Sequence, residues 1–505
     1  MKKYIVLFIF IILFLVSPDS YTHDLFNRTD TAWFFMCGKA WMNGMIPYVD
    51  FADSKGPLLW LIYGLGYLFS PYNYIGVFWI SFIMYALVYI YILKLAAIFI
   101  NNKRLVLLCP ILLTLSLFNP WFHFEIRAED WCQLFIILSL YEACKMLYVI
   151  NECHNYLKSF FIFGCCFAAT LLIKFNIAIM LAGIIAYCLF YVIRNNLGFF
   201  KMSIALIAGG AFVITPFMVT FIYQDNLNSF ITEYFINTLK TVQNSNTINE
   251  YIHEWLFTIA NPARMLLFSL SILGAIIIAS KVNKDKFFFL FSFLCFYAIA
   301  IHHAFVNYYL CICLLFPIWF IITILKKYEH IILNKRLVVS ITCAVIFLVT
   351  LANYTFTDGY VISNLFFTGN QYRKDYYNVG YLMSQIKNPR IIYYRSSEHG
   401  YGTPVNALPG SKYWSSQIGA TPQMDKQQTI DVISGQADFI FIDDADSPIK
   451  EKIVILHESG YHECYHYKTW GHTFKLYTKH NLKPIPSDLQ ISNLDILFKR
   501  KIFNI

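Results

Sequence analysis

About eleven apolar stretches separated by short basic turns leave this chain few architectures other than a bundle of membrane-crossing helices. They lie near residues 4–17, 74–100, 105–118, 131–150, 159–173, 177–193, 202–222, 256–279, 287–303, 305–325 and 337–353. Hydrocarbon spans need roughly 20 apolar residues, within about 17–25, so the shorter stretches have limits soft by a few residues. Only 14% of the residues are charged while 58% are hydrophobic. A soluble domain carries about 25% charged residues, so lipid is the solvent this composition requires.

The net charge of +9 is spread between the apolar segments rather than gathered in one patch. That distribution excludes a nucleic-acid surface and reads as a topology signal. With Lys2-Lys3 inside, the alternation puts Lys103-Arg104, Lys158, Arg194 with Lys201, Lys281-Lys284-Lys286, and Lys326-Lys327 with Lys335-Arg336 in the cytoplasm. The loops 18–73, 119–130, 223–255 and 302–304, and everything after about 354, fall on the other side. Those outer loops are acidic or neutral. Met1 to Ser17 has the make-up of a signal peptide, but no small-x-small cleavage site follows, which predicts an uncleaved first span. Gly56–Ser70 is apolar but short; as a span it would place Lys103-Arg104 outside, so an interfacial or re-entrant helix is expected there.

The tail changes character. Arg390–Tyr394 and Phe439–Ile442 read as strands, and Thr429–Gly435 as a short helix ending at glycine. The expected organisation is therefore a polytopic α-helical domain over 1–353 and a soluble extracytoplasmic α/β domain over 354–505. Of 13 cysteines, only Cys37 and Cys464 fall in the outer compartment, so no disulfide framework is expected.

The first outer loop carries the most chemistry. It runs Arg28-Thr29-Asp30-Thr31-Ala32-Trp33, then Gly38, Trp41, Gly44, Pro47-Tyr48 and Asp50, then Lys55-Gly56-Pro57-Leu58. This pattern resembles the first periplasmic loop of the GT-C glycosyltransferases, in the branch of protein O-mannosyltransferases and the lipid A aminoarabinose transferase. Ile126-Arg127-Ala128-Glu129-Asp130, Leu172-Ile173-Lys174-Phe175, and His302-His303 with Tyr308-Tyr309-Leu310 are similar to further landmarks of that superfamily, in the same order. Two positions depart from it: Asp30 is followed by Thr31 rather than Glu, and Lys55 by Gly56 rather than Pro. The resemblance covers 1–353 and implies a polyprenyl-phosphate-sugar donor and an acceptor that is a lipid, a glycan or a protein. It further implies an integral, multi-pass protein of a bacterial cell membrane.

The chemistry fits that likeness. A polyprenyl-linked donor cannot leave the bilayer, so its enzyme works at the membrane face. A carboxylate that takes the acceptor's proton contributes about 10²–10⁴-fold in rate, and cations must offset charge growing on the departing phosphate. Asp30 is the candidate base, with Glu129 or Asp130 positioning donor or acceptor. Lys55, Arg127 and Lys174 are candidate phosphate ligands, and the resemblance adds His303, Tyr308 and Tyr309 as substrate-binding residues. Each has a plainer reading: Asp30 as a helix cap, Asp50 and Asp53 as turn residues, Arg127 with Glu129 as a structural ion pair, Lys174 as a lysine snorkelling to the interface. Glu142 and Lys145, three residues apart, read as a structural pair.

No cofactor is implied, and the outer carboxylates could serve with or without a divalent cation. In the tail, His462, Cys464 and His466 would share one face of a strand, but their spacing matches no zinc motif. Two other functions compete. A flippase or transporter of lipid-linked sugars would hold its ionisable groups near the midplane, in matching halves, and neither is visible here. A non-catalytic envelope assembly protein would not need a first loop bearing Asp and Lys in this pattern.

Overall fold

The computed structural model describes residues 1–17, 19–20, 29–117, 126–149, 155–243, 315–330, 334–356, 371–396, 400–416, 421–443, 449–469 and 472–486. The stretches expected at 256–279 and 287–303 lie outside these, as do His303, Tyr308 and Tyr309. The chain divides into two compact units: Met1–Ser17, Ser81–Thr220 and Asn244–Val361 form the first, and Pro18–Ile80, Phe221–Gln243 and Ile362–Ile505 the second.

The first unit is helical. In chain order, across both units, the helices are α1 (Lys2–Val16), α2 (Thr29–Met42), α3 (Pro57–Phe69), α4 (Ile75–Phe99), α5 (Lys103–Leu117), α6 (Ala128–Tyr148), α7 (Tyr156–Leu171), α8 (Phe175–Arg194) and α9 (Phe199–Tyr223); α2, α3 and the segment 221–243 belong to the second. The short α10 (Leu227–Phe230), a π-helical stretch Ile231–Asn237 and α11 (Thr238–Gln243) follow, then α12 (Leu315–Lys327) and α13 (Lys335–Phe356). Three of the bundle helices start at asparagines in the basic turns. Asn102, Asn155 and Asn334 each accept a backbone N–H from two or three residues on, at 3.0, 3.0 and 2.7 Å, satisfying donors that a helix start leaves orphaned. Within the unit, α1 packs on α13, where the Tyr4 hydroxyl donates to Thr342 Oγ1 at 3.0 Å. Helix α5 lies beside α12 and α13, and α6, α7 and α8 pack on one another.

Helices α7 and α9 touch through glycine. A Cβ on Gly164 would come within 2.0 Å of Leu206 O, and one on Gly209 within 2.0 Å of Phe161 O. Such small-residue contacts are how helices associate where lipid removes the hydrophobic drive between them. The rest of α9 turns Phe200, Ile204, Ile207 and Phe212 outward. Helices α4, α8 and α9 are each long and apolar enough to cross a membrane. The expected Glu142–Lys145 pair does not form among the described contacts. Glu142 instead accepts a hydrogen bond from Ser159 Oγ on α7 at 2.8 Å, because the helix turns its carboxylate into the α6–α7 seam.

In the second unit α2 and α3 form a tight pair, and the short apolar stretch at 56–70 is indeed a helix of 13 residues. Pro57 occupies its first turn, where the missing N–H costs nothing. The two helices meet at glycine: a Cβ on Gly38 would sit 2.4 Å from Gly64 N and 2.8 Å from Trp60 O, both backbone atoms that cannot swing aside. Gly38→Ala should therefore cost about 2–3 kcal/mol of stability, the upper part of the overpacking range. Thermal unfolding of the detergent-solubilised protein checks this, and an unchanged Tm would refute the close approach.

The same unit holds a five-stranded sheet in the order β2-β1-β3-β5-β4, with β1 (Arg390–Tyr393), β2 (Leu408–Pro409), β3 (Phe439–Asp443), β4 (His462–Thr469) and β5 (His472–Thr478). Strand β1 is parallel to β2 and β3, while β5 is antiparallel to both β3 and β4. Every residue of β3 is buried, as a central strand covered on both faces requires. Helices α14 (Gln371–Ser384), α15 (Pro422–Ile433) and α16 (Ile449–Glu458) complete the unit. Ile392, Ile440, Ile442, Val432 and Leu456 pack together in one core. Helix α15 begins seven residues before the expected Thr429. Thr421 caps it by accepting the Met424 N–H at 3.3 Å, Pro422 sits in its first turn, and Gly435 closes it at φ +73°.

The first loop and the tail are thus one folding unit. Lys39 of α2 is fully buried and donates from Nζ to Gly402 O at 2.7 Å and Val405 O at 3.0 Å. The Ala52 N–H donates to Lys412 O at 3.0 Å, and the rings of Trp33 and Trp414 lie 5.0 Å apart.

Candidate active site

The candidate residues divide between the two units, Asp30 and Lys55 in the second and Arg127, Glu129, Asp130 and Lys174 in the first. In the second unit, α2 opens at Thr29 and places half-buried Asp30 in its first turn rather than at the cap. Unpaired N–H groups there give a partial positive charge that favours a carboxylate, so a helix-start location and a catalytic role are compatible. Past the α2 C-terminus the chain turns through Gly44 at φ +87° and Tyr48 at φ 65°. A left-handed tyrosine needs support. It receives it from a buried ring packed 4.5 Å from Trp60 and 5.3 Å from Phe230, and from a hydroxyl that donates to Lys55 O at 3.0 Å. Burial, with Tyr234 and Asp53 adding to it, pushes the Tyr48 phenol well above its ordinary pKa, so it stays a donor.

Tyr48 thereby anchors the backbone of the candidate phosphate ligand. The Lys55 ammonium donates to Ser54 Oγ at 2.9 Å and lies 3.9 Å from Asp53 Oδ1. Asp53 is buried, and its Oδ2 has no hydrogen-bond partner among the described residues. Asp50 behaves as the turn residue its setting suggests, accepting the Ile46 N–H at 2.7 Å.

In the first unit, α6 starts at Ala128 with Glu129 and Asp130 in its first turn. Asp130 accepts from Arg127 N–H at 3.1 Å, from the Tyr85 hydroxyl at 2.9 Å and from Gln133 Nε2 at 2.8 Å. Three donors on one carboxylate fix it in place. Glu129 and Lys174, only 2% and 9% exposed, form a direct ion pair. Lys174 caps α8 in the tight α7–α8 turn, where its own N–H reaches Thr170 O at 2.9 Å. It is not a lysine stretched toward an interface. The structure brings Glu129, Asp130 and Lys174 into one buried polar group at two helix starts.

Glu233 was not legible from the sequence. It sits in the π-helical stretch Ile231–Asn237, buried, and binds Lys412 at 2.6 Å, the Tyr413 hydroxyl at 3.0 Å and Asn237 Nδ2 at 3.0 Å. Such bulges are frequent at functional sites, but nothing in Ile231-Thr232-Glu233 announces one. In the tail, a bulge between Glu463 and Tyr465 breaks the alternation that would have put His462, Cys464 and His466 on one face. Among the described residues no three of His, Cys, Asp and Glu gather as metal ligands, and the nine described cysteines are all free thiols.

No protein-family description matches the sequence, and comparison with curated proteins finds no match. Solved structures do match. The crystal structure of ArnT from Cupriavidus metallidurans in the apo state aligns with a TM-score of 0.58 at 10% identity, covering 94% of this chain and 98% of that one. The structure of the same protein bound to undecaprenyl phosphate aligns with a TM-score of 0.55 at 11% identity and the same coverage. The chain shares the fold of these two structures. At this identity the likeness concerns the fold, and it spans nearly the whole of both chains. The long apolar helices of this fold support an integral membrane location.

Proposed function

We propose that the protein is an inverting glycosyltransferase that moves a sugar from a polyprenyl-phosphate carrier to an acceptor hydroxyl on the extracytoplasmic face of the membrane. The observation that carries this reading is the near full-length fold likeness to an ArnT whose structure holds undecaprenyl phosphate. Asp30 takes the acceptor's proton as the acceptor oxygen bonds to the anomeric carbon from the face opposite the phosphate. The bond from that carbon to the phosphate oxygen breaks, and polyprenyl phosphate departs with the electron pair. Lys55, Arg127 and Lys174 offset its charge. Glu129 and Asp130 hold donor or acceptor, and the N-terminus lies in the cytoplasm.

Proteoliposomes carrying the protein and a polyprenyl-phosphate sugar test this. Donor consumption with a glycosylated acceptor is the expected result. Movement of the intact lipid-linked sugar between leaflets, with no consumption, would assign transport instead.

A further inference from the structure

The second unit contains a cavity of about 710 Å³ that none of the residues assigned to the reaction line. Met45, Val49, Asp50, Asn237 and Lys240 form one wall, and β2 with the start of α15 the other. Its size falls in the range of ligand pockets, about 300–1,000 Å³. Its chemistry selects the occupant. Charges on the walls balance: the ammonium of Lys412 is taken by Glu233 at 2.6 Å, which leaves Lys240 and Arg390 against the carboxylates of Asp50 and Asp431. Arg390 is partly engaged as well, donating from an η nitrogen to Pro409 O at 3.0 Å. A cavity so balanced has no excess charge for a phosphate or a polyanion, and too few apolar residues for a prenyl chain.

The lining instead mixes donors and acceptors. Gln423 and Gln427 on the first turns of α15 are exposed amides that can do both, although Gln427 already donates one N–H to Asp431 Oδ1 at 2.8 Å, and each sugar hydroxyl likewise donates once and accepts twice. Tyr413 supplies a fixed ring. Its hydroxyl is anchored on Glu233 at 3.0 Å, and burial followed by that carboxylate raises its pKa so the anchor persists. An aromatic face held this way suits the C–H side of a pyranose. Ser411 on the same wall is 5% exposed, and its Oγ has no hydrogen-bond partner among the described residues. Orphaned buried hydroxyls of this kind call for a ligand group or water.

We infer that this cavity is a saccharide-binding site for a neutral oligosaccharide, apart from the residues of the transfer step. That the oligosaccharide belongs to the acceptor, making the acceptor a glycan, rests on the glycosyltransferase reading.

Saturation-transfer NMR on the detergent-solubilised full chain tests it, with neutral oligosaccharides of two to four hexose or N-acetylhexosamine units as probes and inorganic phosphate as competitor. Saturation transfer to at least one oligosaccharide is expected. Affinity should fall about tenfold in a Gln423→Ala/Gln427→Ala double variant, whose exposed helix side chains can be lost without unfolding. Absence of transfer to every oligosaccharide, equal affinity in the double variant, or displacement of the sugar by phosphate would each overturn the site. Binding retained in Asp30→Asn supports the site whether or not that variant still transfers sugar. No sugar transfer by the wild-type protein in proteoliposomes would remove only the acceptor assignment, and full transfer by Asp30→Asn would remove only Asp30 as base.

Discussion

Asp30→Asn is expected to lower kcat for sugar transfer by about 10²–10⁴-fold, the contribution of a positioned general base. Asparagine is nearly the same size and keeps a polar group in the first turn of α2, where Asp30 is half-buried. Loss of the favourable charge at the helix start costs only about 0.3–1 kcal/mol, so unfolding cannot account for a loss of that size. The acceptor's KM should change little, since the proton is taken in the transition state and not on binding. The measurement is initial rate against acceptor concentration in proteoliposomes, with thermal unfolding alongside. Wild-type turnover in Asp30→Asn would end the assignment of Asp30 as base.

Lys174→Met has an expected effect as large on stability. The lysine pairs with Glu129, and both are buried. Removing one partner of such a pair strands the other charge and typically costs about 3–5 kcal/mol. Replacing both by uncharged groups of similar shape is often neutral. Glu129→Gln/Lys174→Met should therefore recover most of the stability that Lys174→Met loses. It should not recover turnover, because a cation offsetting the leaving phosphate is still missing. Tm and transfer rate measured on the two single variants and the double variant separate these roles. A double variant that regains both would make the pair purely structural, and one that regains neither would show that Lys174 supports the fold through other contacts.

The bundle helices were legible because lipid imposes a simple rule. Runs of apolar residues near span length, broken by Lys and Arg, predict α4, α8 and α9 to within a few residues of where they lie. Asparagine caps at the basic turns mark the starts of α5, α7 and α13. Strands β1 and β3 were equally readable, since Ile391-Ile392 and Phe439–Ile442 are apolar runs of strand length. The start of α15 was available in Thr421-Pro422, a cap followed by a first-turn proline, but the apolar pattern only begins further on and drew the expected boundary to Thr429.

Local pattern identified which side chains could do chemistry, and the sequence by itself determined that Asp30, Lys55, Arg127, Glu129, Asp130 and Lys174 are the candidates. It also determined that most of the chain must be helical and apolar-facing. Only the tertiary structure decided whom those residues hold. Glu129 takes Lys174 across 45 residues, Glu142 takes Ser159 rather than Lys145, and Glu233 takes Lys412 from 179 residues away. Only the tertiary structure, likewise, joined the first loop to the tail, through a buried Lys39 whose ammonium reaches carbonyls more than 360 residues on. The physical reason is range. Hydropathy and capping act over one or two turns and are written in neighbouring residues, whereas a buried charge takes whichever partner the packed chain brings to it.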